Sequence, residues 1–412
     1  MKIFSEIRPI FSVLLRNKTG PLLVALQIAV SLAILVNAIY IVNLRLDSAA
    51  RPSGLSEEMN LFRVDISNQR PLTHEESIAM QKQETETIRA VPGVVSVART
   101  NSFPLSYSGS NSSARLTLGQ TTSTASPAYY VSADSLIKTW GLKLIEGRDF
   151  QQDDILEVDK NISKEFVKNV IVSETLARKL FPDQTSFVGK EFYFSGDNLV
   201  RIVGVVEGLQ TSSAQQGSTG EFTVLIPARL SNEIYDGYAV RAEAGQRDRV
   251  MKDVAEALRK ASTVALNVKT RSMEFFRDRR YQPEKGVAWM LLTVSALLVV
   301  ITASGIVGMS TLWVAQRRKQ IGIRRALGAQ RLDILSYFMT ENWLITTSGI
   351  VVGTMLALGL NQVLVTHFEL PALPINYLFY APFVFWLLGF AAVYMPAWRA
   401  ASISPATATR GI

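Results

Sequence analysis

The chain has 412 residues, 48% hydrophobic and 19% charged, below the roughly 25% charged of an ordinary globular protein. It has no cysteine and two histidines, His74 and His367, far apart in sequence. That excludes a disulfide framework, a thiol nucleophile, a thiolate metal site and a histidine cluster, so most enzyme and metal readings start without their residues. The net charge of +8 is unevenly spread: residues 46–285 hold 30 Lys/Arg and 31 Asp/Glu, while the remaining 172 residues hold 13 and 4. The basic excess therefore lies beside the longest apolar runs, a membrane pattern that argues against nucleic acid as the partner.

Residues 1–18 place Ile3, Phe4, Ile7, Phe11, Leu14 and Leu15 at near-helical spacing among Glu6, Arg8 and Arg16, which predicts an amphipathic segment lying on membrane lipid. Residues 19–44 are uncharged. At 1.5 Å per residue they reach nearly 40 Å, enough to cross a hydrocarbon core of about 30 Å and too long for a signal peptide.

Residues 45–285 read as one large α+β domain with stalk segments at 45–60 and 271–285. Thr73 followed by Glu76 is a capping box that opens a helix over 74–90, stopped by Pro92-Gly93. Strand candidates follow at 94–98, 128–133, 168–173, 191–195, 199–206, 222–226, 237–242 and 264–269. Segments 174–180 and 248–261 read as helices, the latter with an apolar stripe of Val250, Val254, Ala255 and Leu258. Two Ser/Thr/Gln/Gly-rich stretches, 106–126 and 210–220, lack the apolar content to pack alone and are expected to be mobile loops or partner-facing tips. The domain's carboxylates are scattered among basic residues, as on a solvated surface, without an acid, base or nucleophile constellation.

Three more spans follow: 286–315, 342–365 and 377–398. Gly349 and Gly353 in the second of these form a G-x-x-x-G pair, suited to helix packing within a subunit or at an interface. The flanks orient the spans. The N-terminal arm and the segment after residue 315 are rich in Lys and Arg, the 366–376 link has none, and Arg399 and Arg410 lie in the 399–412 tail. Both termini and the 316–341 segment are therefore expected in the cytoplasm, with 45–285 and the 366–376 link outside. Residues 316–341 read as a basic loop, Arg318, Lys319, Ile321, Gly322, Ile323, Arg324, Arg325, Ala326, Leu327, Gly328 and Ala329, followed by a short helix through Asp333. Ile321 and Ile323 have no soluble core to join in so short a loop, so the segment is expected to dock in a groove on another protein. The chain contains no G-x-x-x-x-G-K-[ST] sequence, so nucleotide chemistry is expected from a separate subunit.

These residues carry a resemblance. The run from Lys319 through Ala329 to Asp333-Ile334 and the tail Pro396, Ala397, Arg399, Ala400, Ala401, Pro405, Ala408, Arg410 resemble the C-terminal module of FtsX-like ABC transporter permeases, in the MacB-like branch. Gln320 stands where that family usually has Glu. Glu146-Gly147-Arg148-Asp149-Phe150, Ser173 to Phe181 and Val188-Gly189-Lys190 resemble the MacB-type periplasmic core domain.

The resemblance implies an inner-membrane protein with four transmembrane helices and a large α+β periplasmic domain between the first and second. It further implies a non-catalytic permease subunit, pairing with a second permease subunit as homodimer or heterodimer. ATP and Mg would be held by ABC-type ATPase subunits docked on 318–333, the ATPase being expected as a separately encoded chain. A periplasmic adaptor and an outer-membrane channel would receive the substrate. Lipoprotein release from the inner membrane, or ATP-gated control of cell-wall hydrolases, are the other functions this scaffold would serve.

Overall fold

A computed structural model describes residues 19–68, 72–159, 165–213, 218–231, 235–262, 266–368 and 370–402. The expected amphipathic segment over 1–18 and tail positions Pro405 and Arg410 lie outside them. The chain divides into two compact units, one of Met1–Ala49 with Glu284–Ile412 and one of Ala50–Pro283. It opens on helix α1 (Thr19–Ala50). Of the stalk expected over 45–60, only the part to Ala50 is helical; the chain is then irregular up to a turn at Glu58–Asn60.

The Ala50–Pro283 unit contains, in chain order, β1 (Leu61–Asn68), α2 (His74–Arg89), β2 (Val94–Arg99), β3 (Ala114–Arg115), β4 (Ala128–Val131), α3 (Leu136–Trp140), β5 (Leu144–Gly147) and β6 (Leu156–Val158). It continues with β7 (Asn169–Ser173), α4 (Glu174–Leu180), β8 (Glu191–Phe194), β9 (Asn198–Val206), β10 (Thr223–Ile226), β11 (Ala228–Leu230), β12 (Tyr235–Ala242), α5 (Arg247–Ala261) and β13 (Leu266–Ser272). One lobe is an antiparallel sheet in the order β13-β1-β12-β2. Alternate residues Phe62, Val64 and Ile66 of β1 bury against Ile88 and against Val250, Val254 and Leu258 of α5, as the period of a half-buried strand requires. Strand β1 is absent from the sequence reading, and its outward residues explain why. Arg63 and Asp65 pair at 2.6 Å, and Asp65 pairs across the sheet with Arg271 at 3.0 Å, so the apolar alternation is masked by charge. The capping box of α2 is present in both directions, Glu76 N–H to the Thr73 hydroxyl at 3.3 Å and Thr73 N–H to the Glu76 carboxylate at 3.0 Å.

The other lobe is a seven-stranded mixed sheet centred on β9, which pairs with β7 in parallel and with β8 and β5 antiparallel. Its core gathers Phe192, Phe194, Ile202, Val205 and Val224, with Leu176, Ala177 and Leu180 of α4. The family-like motifs turn out to be structural. Glu146 accepts from the Ser186 hydroxyl and from the N–H groups of Phe187 and Val188; burial raises its carboxyl, and those bonds outweigh it to hold it below the ordinary value. Arg148 pairs with Asp154 at 2.6 Å. The 106–126 stretch, expected to be a mobile loop or a partner-facing tip, is mostly exposed but supplies β3 to β8, with Ala114 fully buried and bonded to Ala125. In the 210–220 stretch Gln210, Thr211 and Ser212 are buried as well.

The remaining elements are α6 (Met273–Gln316), α7 (Arg318–Ala326), α8 (Arg331–Phe368) and α9 (Asn376–Ala401). With α1, three of these are long and apolar enough to cross a membrane: α6, α8 and α9. Four membrane-spanning helices with a mixed α/β unit between the first two is therefore the architecture. Helix α1 is the most enclosed of the four, burying Val24, Ile28, Leu32 and Val36. Several buried polar groups in this unit pair across helices, as an environment without water favours. Ser31 bonds Thr302 at 2.8 Å, and Asn37 Nδ2 donates to the Ala357 carbonyl at 3.1 Å. The Tyr40 hydroxyl donates to the Pro371 carbonyl at 2.8 Å, closing the 366–376 link over α1. Gly349 and Gly353 face α1 of the same chain. A Cβ on Gly349 would stand 2.8 Å from the Ala25 carbonyl oxygen, and one on Gly353 2.9 Å from Ala29 Cα.

Candidate functional site

The basic stretch after residue 316 is not a loop. Arg318–Ala326 forms α7, with helical backbone bonds from Ile321 N–H to Arg317 and from Leu327 N–H to Ile323. Gly328 ends it at φ +100°, a left-handed conformation that favours glycine, and Gly328 and Ala329 donate back to Arg325 and Arg324. The Asp333 carboxylate then accepts from Gln330 N–H at 2.8 Å, capping the start of α8. The Ala-Leu-Gly-Ala-x-x-x-Asp spacing is therefore a stop signal followed by a start signal. A nine-residue helix is marginal alone, so its packing against neighbours decides that it forms.

Four contacts supply that packing. Ile321 and Gly322 are buried, Ile321 within the apolar cluster that also holds Ile334 and Phe338 of α8. This corrects the expectation that Ile321 has no core to join; only Ile323, about half exposed, remains available. The Arg324 guanidinium lies 5.0 Å over the Tyr337 ring, and Arg325 donates to the Ala401 carbonyl at the end of α9. Arg317 reaches Glu341 at 2.7 Å, where Glu341 is 1% exposed and its other oxygen has no hydrogen-bond partner. Glu341 is the residue the sequence reading missed. One of four acidic residues outside 46–285, it sits in an apolar helix where an ionisable group is costly, and that was its available signal.

What remains outward is a mixed surface. Leu327 is 83% and Leu332 65% exposed, beside Ile323. Arg318, Lys319, Arg324 and Arg331 are exposed around them, with Ala326 and Gly328; Ala329 is half-buried. Between α7 and α8 lies a cleft of about 30 Å³, walled by Arg317, Gln320, Ile321 and Arg324 on one side and Ile334, Tyr337 and Phe338 on the other. That is room for about one water. At the end of α9, Ala397 is fully buried, Pro396 lies inside the helix and Arg399 is exposed. Among the described residues no group of three or more His, Asp or Glu side chains is placed to hold a metal.

Residues 22–259 match the family model of the MacB-like periplasmic core domain, and residues 292–405 match that of the FtsX-like permease C-terminal region. The chain belongs to the MacB-like FtsX permease family. Residues 318–329 of this MacB-like permease thus fall in its FtsX-type part, and both lobes of the Ala50–Pro283 unit lie largely in its MacB-type part. The family makes it a multi-pass inner-membrane protein with a periplasmic domain.

Among curated relatives, a macrolide export ATP-binding/permease protein MacB from Agrobacterium fabrum is 26% identical over 288 residues, 67% of this chain and 42% of that protein. The MacB protein of Shewanella oneidensis is 26% identical over 230 residues, covering 53% and 33% respectively. That of Chromobacterium violaceum is 25% identical over 273 residues, covering 64% and 40%. The permease therefore spans well under half the length of these relatives.

Proposed function

We propose that this chain is the permease part of an ATP-driven export complex, and that the α7 surface receives the movement of an ATP-binding partner. The observation that carries this reading is the surface itself: Ile323, Leu327 and Leu332 stand outward, ringed by Arg318, Lys319, Arg324 and Arg331. Exposed apolar side chains inside a basic rim suit a docking face with an acidic-rimmed groove. Helix α7 is also anchored at its inner face to α8 and α9, so a push on it reaches the spans. The named relatives are ATP-binding/permease proteins of macrolide export, which favours efflux or secretion as the work done.

In this reading both termini and α7 are cytoplasmic, on the side of the basic flanks. ATP and Mg are bound outside the residues of this chain, which carries no phosphate-binding loop, and the chain itself is non-catalytic. A second permease subunit completes the pair, and a periplasmic adaptor with an outer-membrane channel takes the substrate from the periplasmic domain.

The test is mass spectrometry of the intact complex, isolated from native membranes through a tag on this chain. The expected composition is two permease chains, an ABC-type ATP-binding pair and an adaptor. A complex without any ATP-binding polypeptide would overturn the reading, and one holding lipoproteins or a wall hydrolase in place of an adaptor would replace export with release or regulation.

A further inference from the structure

Gln210 lies in a stretch whose composition reads as low complexity, yet it is 1% exposed and its polar atoms are engaged. Its backbone N–H donates to the Ser53 carbonyl at 2.8 Å. Its side-chain amide donates to the carbonyls of Pro52 at 2.8 Å and Arg51 at 3.3 Å. Its side-chain oxygen accepts from the Tyr281 hydroxyl at 3.1 Å, and its backbone carbonyl accepts from the Tyr130 hydroxyl at 2.8 Å. Residues 51–53 directly follow α1, and Tyr281 lies on α6. The chain passes between its two units at residues 49–50 and 283–284, so one buried side chain holds both passages on the periplasmic side.

The surroundings reinforce that place. Arg277 of α6 pairs with Glu58 at 2.6 Å and donates to the Arg51 carbonyl at 3.1 Å. Burial pushes the Glu58 carboxyl up, but the bonds from Arg277 and Ser53 hold it below its ordinary value. Arg280 donates to the Ser213 carbonyl at 3.0 Å and stands 5.1 Å over the Tyr107 ring. Leu105 and Tyr107 are both left-handed, at φ +62° and +58°, a conformation that side chains other than glycine adopt only when neighbours hold it. Here the N–H groups of Leu105 and Tyr107 donate to Thr211 and Ser212, the residues after Gln210.

We propose that Gln210 is a positioning residue that clamps the two passages to one another and to the central strand β9, which ends four residues before it. The clamp rests on the reading of this chain as a transmitter of movement, and deepens it: displacement of α6 and of the 51–53 segment reaches the seven-stranded sheet as one motion. A buried amide satisfied on both sides is suited to this, since leaving any of these carbonyls without a donor is costly.

Because the chain has no cysteine, nitroxide labels at Ala50→Cys and Gln282→Cys, both exposed, report the distance between the passages in the full complex. Without nucleotide, a single narrow distance peak is expected. Gln210→Leu, which keeps the bulk and removes the side-chain bonds, should lose that peak to a broad distribution. Gln210→Glu keeps the acceptor for Tyr281 but turns a carboxylate on the Arg51 and Pro52 carbonyls, and should broaden it as well. Val254→Ala, which weakens the other lobe, should leave the peak unchanged, a contrast that a purely structural role would not produce. An unchanged peak in Gln210→Leu would overturn the clamp. Should that variant not fold, Tyr281→Phe, which removes one hydroxyl, decides by the same criterion. Added ATP and vanadate keep the two claims apart. With a single Ala50→Cys label on each of the two permease subunits, an inter-subunit distance that does not move in the otherwise unsubstituted complex would overturn the transmission reading, while the clamp still stands or falls on the nucleotide-free widths of the Ala50–Gln282 pair.

Discussion

The two places where this permease concentrates charge are built in opposite ways. At α7 the side chains turn outward: Leu327 and Leu332 stand in solvent among Arg318, Lys319, Arg324 and Arg331, and one buried pair, Arg317 with Glu341, anchors the helix. Around Gln210 the side chains turn inward, and Arg277, Glu58, Tyr281, Tyr130 and the 51–53 carbonyls satisfy one another. An open surface with few internal bonds has its binding capacity left over for a partner, whereas a closed network has none left and holds its geometry. On the proposed reading, the difference separates a receiver from a rigid link.

The contrast breaks most severely at Glu341. Glu341→Leu leaves Arg317 without its carboxylate and should cost about 3–5 kcal/mol, read as a fall in the unfolding midpoint of the detergent-solubilised chain. Arg317→Met on the same background should recover most of it, because the penalty comes from the stranded charge. Packing beneath the surface is tested by Gly353→Val, whose Cβ would meet the Ala29 backbone at 2.9 Å; about 1–3 kcal/mol is expected. Gly359→Val, where a Cβ meets nothing within 4 Å, should be silent in the same assay.

In the periplasmic domain, acid supplies a comparable lever. The Arg148 guanidinium, with the Gln151 N–H and Asn169, holds the Asp154 carboxyl down to about 2 from 3.8. A depressed carboxyl contributes stability that is complete above its unfolded value and lost as pH falls through its folded value. Between about pH 4 and pH 2 the domain should therefore lose on the order of 2 kcal/mol from this site, and Asp154→Asn should flatten that part of the pH–stability curve. The smallest effect on stability is expected at the outward surface. Ile323→Glu with Leu327→Glu should change unfolding by under about 0.5 kcal/mol per site, yet abolish co-purification of the ATP-binding partner. Gly322→Glu would not serve, because Gly322 is buried and the change would test folding.

Much of the architecture was legible where one physical rule acted alone. Uncharged runs of membrane length marked the four spans, Thr73 and Glu76 announced α2, and the stripe from Val250 to Leu258 announced α5. The misses came where two rules competed. Charges on the outer face of β1 hid its alternation. The Ser/Thr-rich 106–126 stretch is held by backbone pairing to a sheet edge, which composition does not register. Helix α7 is basic and glycine-interrupted, and forms because Ile321 finds a core made by α8, whose position no local pattern reveals. Gln210 was invisible for the same reason, its five partners being distributed from residue 51 to residue 281.

The central claim is that movement received at α7 reaches the periplasmic domain, and the most direct measurement follows the distance between single Ala50→Cys labels on the two permease subunits, co-reconstituted with the ATP-binding partner, as ATP and vanadate are added, with and without Ile323→Glu and Leu327→Glu. The account predicts a nucleotide-dependent shift that the double substitution removes while the nucleotide-free distance stays narrow and unchanged. A shift of equal size in the doubly substituted complex would contradict it, because the periplasmic domain would then be responding to nucleotide by a route that does not pass through α7.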